Sequence, residues 1–281
     1  MFEGVVSLNS YIRRLLQHVS SSDRFSATQA NDVYQEKEPP AESIPVPDIH
    51  SPEIQAYCRS EAADYEVVAD IHEKDFIFHF VLTHPSFSTY KDAVHYYFDD
   101  GCNSARKLSE LLTIDLAYSS LKQLDLLEFA SGYGCVTRHL RQMLPGVNIT
   151  SCDIHEEATT FITSTMDIPT VLSHSIPEKV ELPQCYDVIF ALSFFSHMPR
   201  STWGRWIHRL FQQLKTPGYL IFTTHGKESM KYFPNVELPP DGFYFKSESE
   251  QKDLNCEEYG VTVTLPDWVI SELYHQIRAP L

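Results

Sequence analysis

Residues 124–140 read LDLLEFASGYGCVTRHL. Leu124, Leu126, Leu127 and Phe129 form an apolar run that predicts a buried strand, and Gly132 and Gly134 then open a tight turn. Val136 and Leu140 fall on one face of the helix that follows. A strand, a glycine-rich turn and a helix start suit a polar or anionic cofactor, because glycine admits a ligand close to the backbone and the first helical N–H groups lack partners. Glu128 stands just before the turn. A carboxylate there would repel a pyrophosphate but would accept hydrogen bonds from the amine or hydroxyls of a zwitterionic nucleoside.

The dinucleotide fingerprint wants a glycine where this chain has Ala130, so the pair of glycines alone is also compatible with an ordinary strand-to-helix turn. The next predicted strand, Asn148 to Cys152, is followed by Asp153. An acidic residue at the tip of the second strand is where an α/β nucleoside-binding fold needs a carboxylate for ribose hydroxyls.

With these motifs, residues 124–226 resemble class I S-adenosylmethionine-dependent methyltransferases. LLEFASGYG stands as the first motif, SCDI as the ribose-binding acidic motif, YDVIFALSFFSHMP as the fourth-strand motif and LKTPGYLIFTTHG as the helix-loop-strand after it. The resemblance implies an α/β Rossmann-like three-layer sandwich and S-adenosyl-L-methionine as cofactor. It also implies cofactor contacts from Glu128, Ala130, Ser131, Gly132, Gly134, Asp153 and Ser193. Glu128 would orient the amino-acid portion and Asp153 would accept from the ribose. Many members carry a further acidic residue near the end of the third strand; here the local sequence is LSHS, and Ser173 or Ser175 is the polar candidate.

Composition fits a globular domain: 43% hydrophobic residues can fill one large core with an appendage. Asp and Glu outnumber Lys and Arg by 38 to 22, giving a formal charge of −16, and no basic patch is visible. That balance disfavours a nucleic-acid partner. Cys58, Cys102, Cys135, Cys152, Cys185 and Cys256 show no CxxC pair or metal-ligand spacing, so no metal site is expected. With no secretory segment before them, they read as reduced thiols in a cytoplasmic chain. The longest apolar stretch, Phe76 to Leu82, is too short to be a transmembrane segment.

Along the chain, residues 1–19 read as an amphipathic helix and 20–52 as a Pro/Ser/Glu-rich connector. Residues 53–120 form a mainly helical cap region. Within it, Phe76 to Leu82 is either a strand or a buried helical piece, and Tyr90 to Phe98 and Ala105 to Leu112 read as two helices separated by DDGCNS. The α/β domain spans 121–281. Its second crossover helix is expected over His155 to Met166 and its third strand over Thr170 to His174. The fourth strand, Tyr186 to Leu192, delivers SFFSHMP. A helix from Trp203 to Lys215, with Leu214 on its apolar face and Ser201 or Thr202 as cap, precedes a fifth strand at Tyr219 to Thr223.

Residues 227–264 read as an insertion over the active-site face, with an extended piece at Tyr259 to Thr264, and Pro266 to Ile277 as a short helix. The resembled family ends its sheet with two more strands, for which the chain leaves no residues. The fifth strand would then be covered by the N-terminal segment or by another subunit, making the protein a homo-oligomer, or catalysis would be impaired. An uncovered TTHG edge would be a pairing hazard.

In a doubly wound sheet the loops after the first and fourth strands face one crevice. His197 in the fourth-strand loop, as a base or as a loop brace, and His225 after the fifth strand are the catalytic candidates. The acceptor pocket is expected above them, between the region before Leu124 and a lid formed by Tyr232 to Phe245. The implied activity is methyl transfer to a small-molecule nucleophile. The alternatives are a noncatalytic nucleoside-binding or scaffolding protein of the same fold, or a nicotinamide-dependent oxidoreductase.

Overall fold

The computed structural model describes residues 48–278 apart from 117, 119, 234, 235 and 250. The helix expected over 1–19, and the connector up to residue 47, lie outside the described residues.

Among the described residues three helices come first. α1 (Pro52–Tyr65) is capped by the Ser51 side chain, α2 (Phe76–Thr83) by Asp75, and α3 (Tyr90–Glu110) by Thr89. Phe76 to Thr83 is therefore helical: a run that is apolar all round buries Phe78, Val81 and Leu82 among α1 and α3. The two helices expected on either side of DDGCNS are one. Gly101 does not break α3 because it faces a neighbour: a Cβ there would stand 2.1 Å from the Cys135 carbonyl oxygen. Its missing side chain lets a continuous helix lie against the turn at residues 131–135. Gly101→Ala should lower stability by about 1–3 kcal/mol, as overpacking does, read as a fall in the thermal midpoint.

The α/β part alternates β1 (Asp125–Phe129), α4 (Thr137–Met143), β2 (Asn148–Asp153), α5 (Glu156–Met166), β3 (Thr170–Leu172), β4 (Tyr186–Ala191), α6 (Arg200–Phe211) and β5 (Leu214–Phe222). The five strands are parallel in the order β3-β2-β1-β4-β5, so the order reverses between β1 and β4. Period-2 alternation builds the two outer layers. Leu127, Phe129, Ile189 and Ala191 face α6, whereas Leu126, Val188 and Phe190 face the layer of α3, α4 and α5. This is the Rossmann-like three-layer sandwich, preceded by a helical extension.

Three local expectations shift. β3 stops at Leu172, paired with Asp153, and not at His174. Ser201 and Thr202 already lie inside α6, because Thr202 and Trp203 donate their N–H groups to the Pro199 carbonyl. Leu214 belongs to β5, opposite Tyr186, and an irregularity in the pairing takes up the residues before Tyr219.

After β5 come β6 (Phe243–Lys246) and β7 (Val261–Thr264), an antiparallel pair, and then α7 (Pro266–Arg278). Among the described residues the main sheet ends at β5. The hazard expected at TTHG is met locally: Thr264 donates its N–H to the His225 carbonyl, and Val263 bridges His225 in parallel. α7 sets Trp268 against Trp203, with ring centroids 4.9 Å apart.

Candidate functional site

The glycine turn is held from below and from the side. Glu128, 4% exposed at the end of β1, accepts from the Thr137 hydroxyl at 2.6 Å and the Ser151 hydroxyl at 2.8 Å. Its burial pushes the carboxyl up from its ordinary value of 4.5 to about 7, against the opposing pull of those two hydroxyl donors. Because the unfolded chain ionises at its ordinary value and the folded one only near the raised value, this group favours folding below the former and loses that contribution as pH rises through the latter. Glu128→Gln should therefore gain thermal stability relative to the parent between about pH 5 and pH 8. A midpoint difference that stays flat across that range would contradict a carboxyl buried at a cost.

Asp153, at the tip of β2, carries the turn. Its Oδ2 accepts from Gly132 N at 2.8 Å, and its Oδ1 accepts from His155 N at 3.0 Å. Gly134 combines a φ of +87° with a Met166 methyl 2.6 Å from where a Cβ would be, so both backbone and space require glycine there. Ala130 and Ser193 adopt left-handed φ values of 60° and 57° at the carboxyl ends of β1 and β4, facing the switch point. Such strain in residues with side chains is held by its surroundings. Ser193 N donates to the Thr223 hydroxyl at 2.8 Å, and Trp203 Nε1 anchors the Phe195 carbonyl at 3.1 Å.

Beside these elements lies a crevice of about 80 Å³ lined by Ala130, Asp153, Ser173, Phe194, Trp206 and Tyr259, among others, whereas Glu128, Ser131, Gly132, Gly134 and Ser193 are not part of its lining. Ser175 lines it too, so both serine candidates from the third-strand region meet Asp153 there. The Ser131 hydroxyl is buried with no partner in the turn itself. An acidic tip on β2, the serines after β3 and aromatic walls fit an adenosine moiety in chemical character. Its volume falls below the roughly 300–1,000 Å³ of small-molecule pockets.

The cover of this crevice comes from another part of the insertion. Pairing of Phe243 with Thr264 and of Lys246 with Val261 makes residues 247–260 the connection between β6 and β7. Leu254, Asn255, Glu258 and Tyr259 from that connection close the crevice. Phe243, Tyr244 and Phe245 instead line a separate, open depression of about 490 Å³ with Arg200, which lies 4.4 Å over the Phe243 ring.

His197 and His225 are brought together, with ring centroids 6.2 Å apart. His197 Nδ1 is 2.8 Å from the Gly260 carbonyl, its own carbonyl accepts from Gly260 N at 2.9 Å, and its ring stacks on Tyr259 at 4.4 Å. Burial lowers its pKa to about 4. His225 is also lowered by burial, and its Nδ1 is buried without a partner. Tyr259, which lines the crevice, is stacked on His197.

Sequence reasoning passed over Trp206, Ile154 and His155. Trp206 lies one turn beyond Trp203 on α6, a spacing that could have flagged it, and it reaches the crevice beside Phe194 at 5.1 Å. Ile154, 38% exposed and lining the crevice, follows the acidic tip directly. His155 had no signal beyond lying two residues after Asp153. Among the described residues no group of three or more His, Cys, Asp or Glu side chains is arranged to hold a metal ion. No helix among them is long and apolar enough to cross a membrane.

No protein-family profile matches the chain. It is 28% identical over 137 residues to a malonyl-[acyl-carrier protein] O-methyltransferase of Bacillus anthracis, and equally to that of Bacillus cereus. The match covers 48% of this chain, which spans about half the length of the curated relatives it matches. Among solved structures, the plantazolicin methyltransferase BpumL in complex with a pentazolic desmethylPZN analog and SAH is similar with a TM-score of 0.46 and 14% identity over 80% of each chain. The DhpI–SAM–HEP complex has a TM-score of 0.43 and 15% identity over 82% of this chain and 90% of its own. The sheet order and the glycine turn answered by Asp153 are those of a Rossmann-like α/β fold, and over about half its length the chain is similar in sequence to methyltransferases.

Proposed function

We propose that the chain binds S-adenosylmethionine across the turn at residues 130–134 and transfers its methyl group to a small-molecule nucleophile. The observation that carries this reading is the buried, unpartnered Ser131 hydroxyl in a turn whose Gly132 is held by Asp153. Asp153 and Ser131 hold the nucleoside, Glu128 orients the amino-acid end directly or through water, and Phe194, Trp206 and Tyr259 exclude solvent. The sulfonium supplies an already electrophilic methyl, so the protein's share is alignment and water exclusion. The relatives' name raises a carboxylate on a carrier protein as the competing acceptor class.

Calorimetry tests the cofactor: S-adenosylmethionine and S-adenosylhomocysteine are expected to bind, and nicotinamide dinucleotides are not. Saturable dinucleotide binding without response to the methyl donor would end this reading. Formation of S-adenosylhomocysteine with amine, hydroxyl, carboxyl and carrier-bound acceptors then sorts the acceptor class. Binding without turnover is the second reading. It is favoured by the position of His197 and His225, whose lowered pKa values and contacts suit bracing of the cover.

A further inference from the structure

His155 stands between the two carboxylates that matter to the crevice. Its Nδ1 lies 2.8 Å from Asp153 Oδ1 and its Nε2 lies 2.8 Å from Asp253 Oδ2. Asp153 belongs to the crevice floor, whereas Asp253 belongs to the segment 251–259 that covers it. The other end of that segment is fixed independently: Gly260 is pinned to His197, and β7 to the loop after β4, through Thr262 N on the Ser196 carbonyl at 2.7 Å and the Thr262 hydroxyl on the Met198 carbonyl at 2.6 Å. The connection is thus anchored at its base by the β6–β7 pairing, and between its ends it is tied to the crevice floor through His155, which meets Asp253, 59% exposed, and the Gln251 amide at 3.5 Å. The crevice, about 80 Å³, lies beneath this cover.

We propose that His155 is a positioning residue that ties the 251–259 cover to the ribose-binding carboxylate Asp153, and thereby sets the rates at which the cofactor enters and leaves. This rests on the cofactor reading above.

Both ring nitrogens can donate at once only in the imidazolium, so the bridge is complete when His155 is protonated. The hydrogen bond to Asp153 raises its pKa above the ordinary 6.5, with Asp253 adding to the effect and burial opposing it. The bridge is therefore fully present below pH 6.5 and is lost as pH rises through the raised value. The groups facing His155 are Asp153 and Glu157 from its own strand and helix, Asp253 and the Gln251 amide from the cover, and Tyr133 from the glycine turn. Glu157 is itself paired with Lys74 of the cap at 2.6 Å.

The test uses the full chain with S-adenosylhomocysteine and the fluorescence of Trp206, which lines the crevice, in stopped flow. Asp253→Asn should raise both association and dissociation rates about two- to fivefold near pH 6, the range expected for an exposed bridge acting on a lid. The parent's rates should climb toward the variant's as pH rises through the raised value, while the variant's stay flat. His155→Gln should also lose the pH dependence and should weaken affinity as well, because Asp153 loses a partner. Amide exchange of 251–259 without nucleoside, corrected for the intrinsic rate, should quicken in Asp253→Asn near pH 6. Normal nucleoside binding with parent-like rates and exchange in Asp253→Asn overturns the role of His155. No nucleoside response in the parent or either variant overturns the cofactor reading instead.

Discussion

Arg138→Ala is expected to lower the free energy of unfolding by about 2–4 kcal/mol, the loss expected on breaking a hydrogen-bond network around a buried charged donor. Arg138 projects from α4, immediately after the glycine turn, and is only 6% exposed. Its Nε donates to the Gly134 carbonyl at 3.0 Å, and Nη1 donates to the Val68 carbonyl at 2.7 Å and that of Asp70 at 3.3 Å. Nη2 reaches the Tyr97 hydroxyl at 3.3 Å, which in turn donates to Asp75 at 2.6 Å. Burial raises the Asp75 carboxyl above its ordinary range, with Tyr97 and Arg138 opposing the rise. One guanidinium therefore joins the helical cap to the turn that carries the proposed cofactor site. Its loss removes the side-chain donor from the Val68 and Asp70 carbonyls, whereas the Gly134 carbonyl keeps the N–H of residue 138. Denaturant unfolding measures the effect, and Arg138→Lys, which keeps the charge without the planar fork, should recover only part of it. A loss under about 1 kcal/mol for alanine would show that the cap is held by apolar contacts alone.

The second large effect is expected at Asp153. Asp153→Ala should weaken S-adenosylhomocysteine binding by about 1.5–3 kcal/mol, roughly 10- to 150-fold, as for a lost hydrogen bond to a charged group. The carboxylate already accepts from Gly132 N and from the backbone and ring of His155. Its removal therefore also loosens the turn and the start of α5, and the thermal midpoint should fall with affinity. Asp153→Asn keeps an acceptor oxygen and should retain more of both. Calorimetry on a folded variant decides the matter: unchanged affinity would reduce Asp153 to a carboxylate that braces the turn.

Much of this was legible in one dimension. LDLLEFASGYG and SCDI each confine their information to a few neighbouring residues, where strand periodicity, turn chemistry and an acid at a strand tip are local properties. The parallel order with β1 beside β4 then followed from α/β connectivity. α3 shows where local reading stops. DDGCNS carries the signals of a turn, yet Gly101 serves a close approach to Cys135, distant in sequence, so the helix runs through.

The sequence by itself determined the sheet, the glycine turn and the acidic tip at Asp153, because each is written in contiguous residues whose conformational preferences agree with the fold. Only the tertiary structure decided what closes the crevice. The pairing of Phe243 with Thr264 converts 247–260 into the covering loop, and the contacts of Gly260 with His197 and of Asp253 with His155 join residues 63 and 98 positions apart. No short-range pattern encodes such separations: they arise when packing of α6 and α7 brings the insertion over the switch point, and the chain's periodicity is silent about which loop then lies above Asp153.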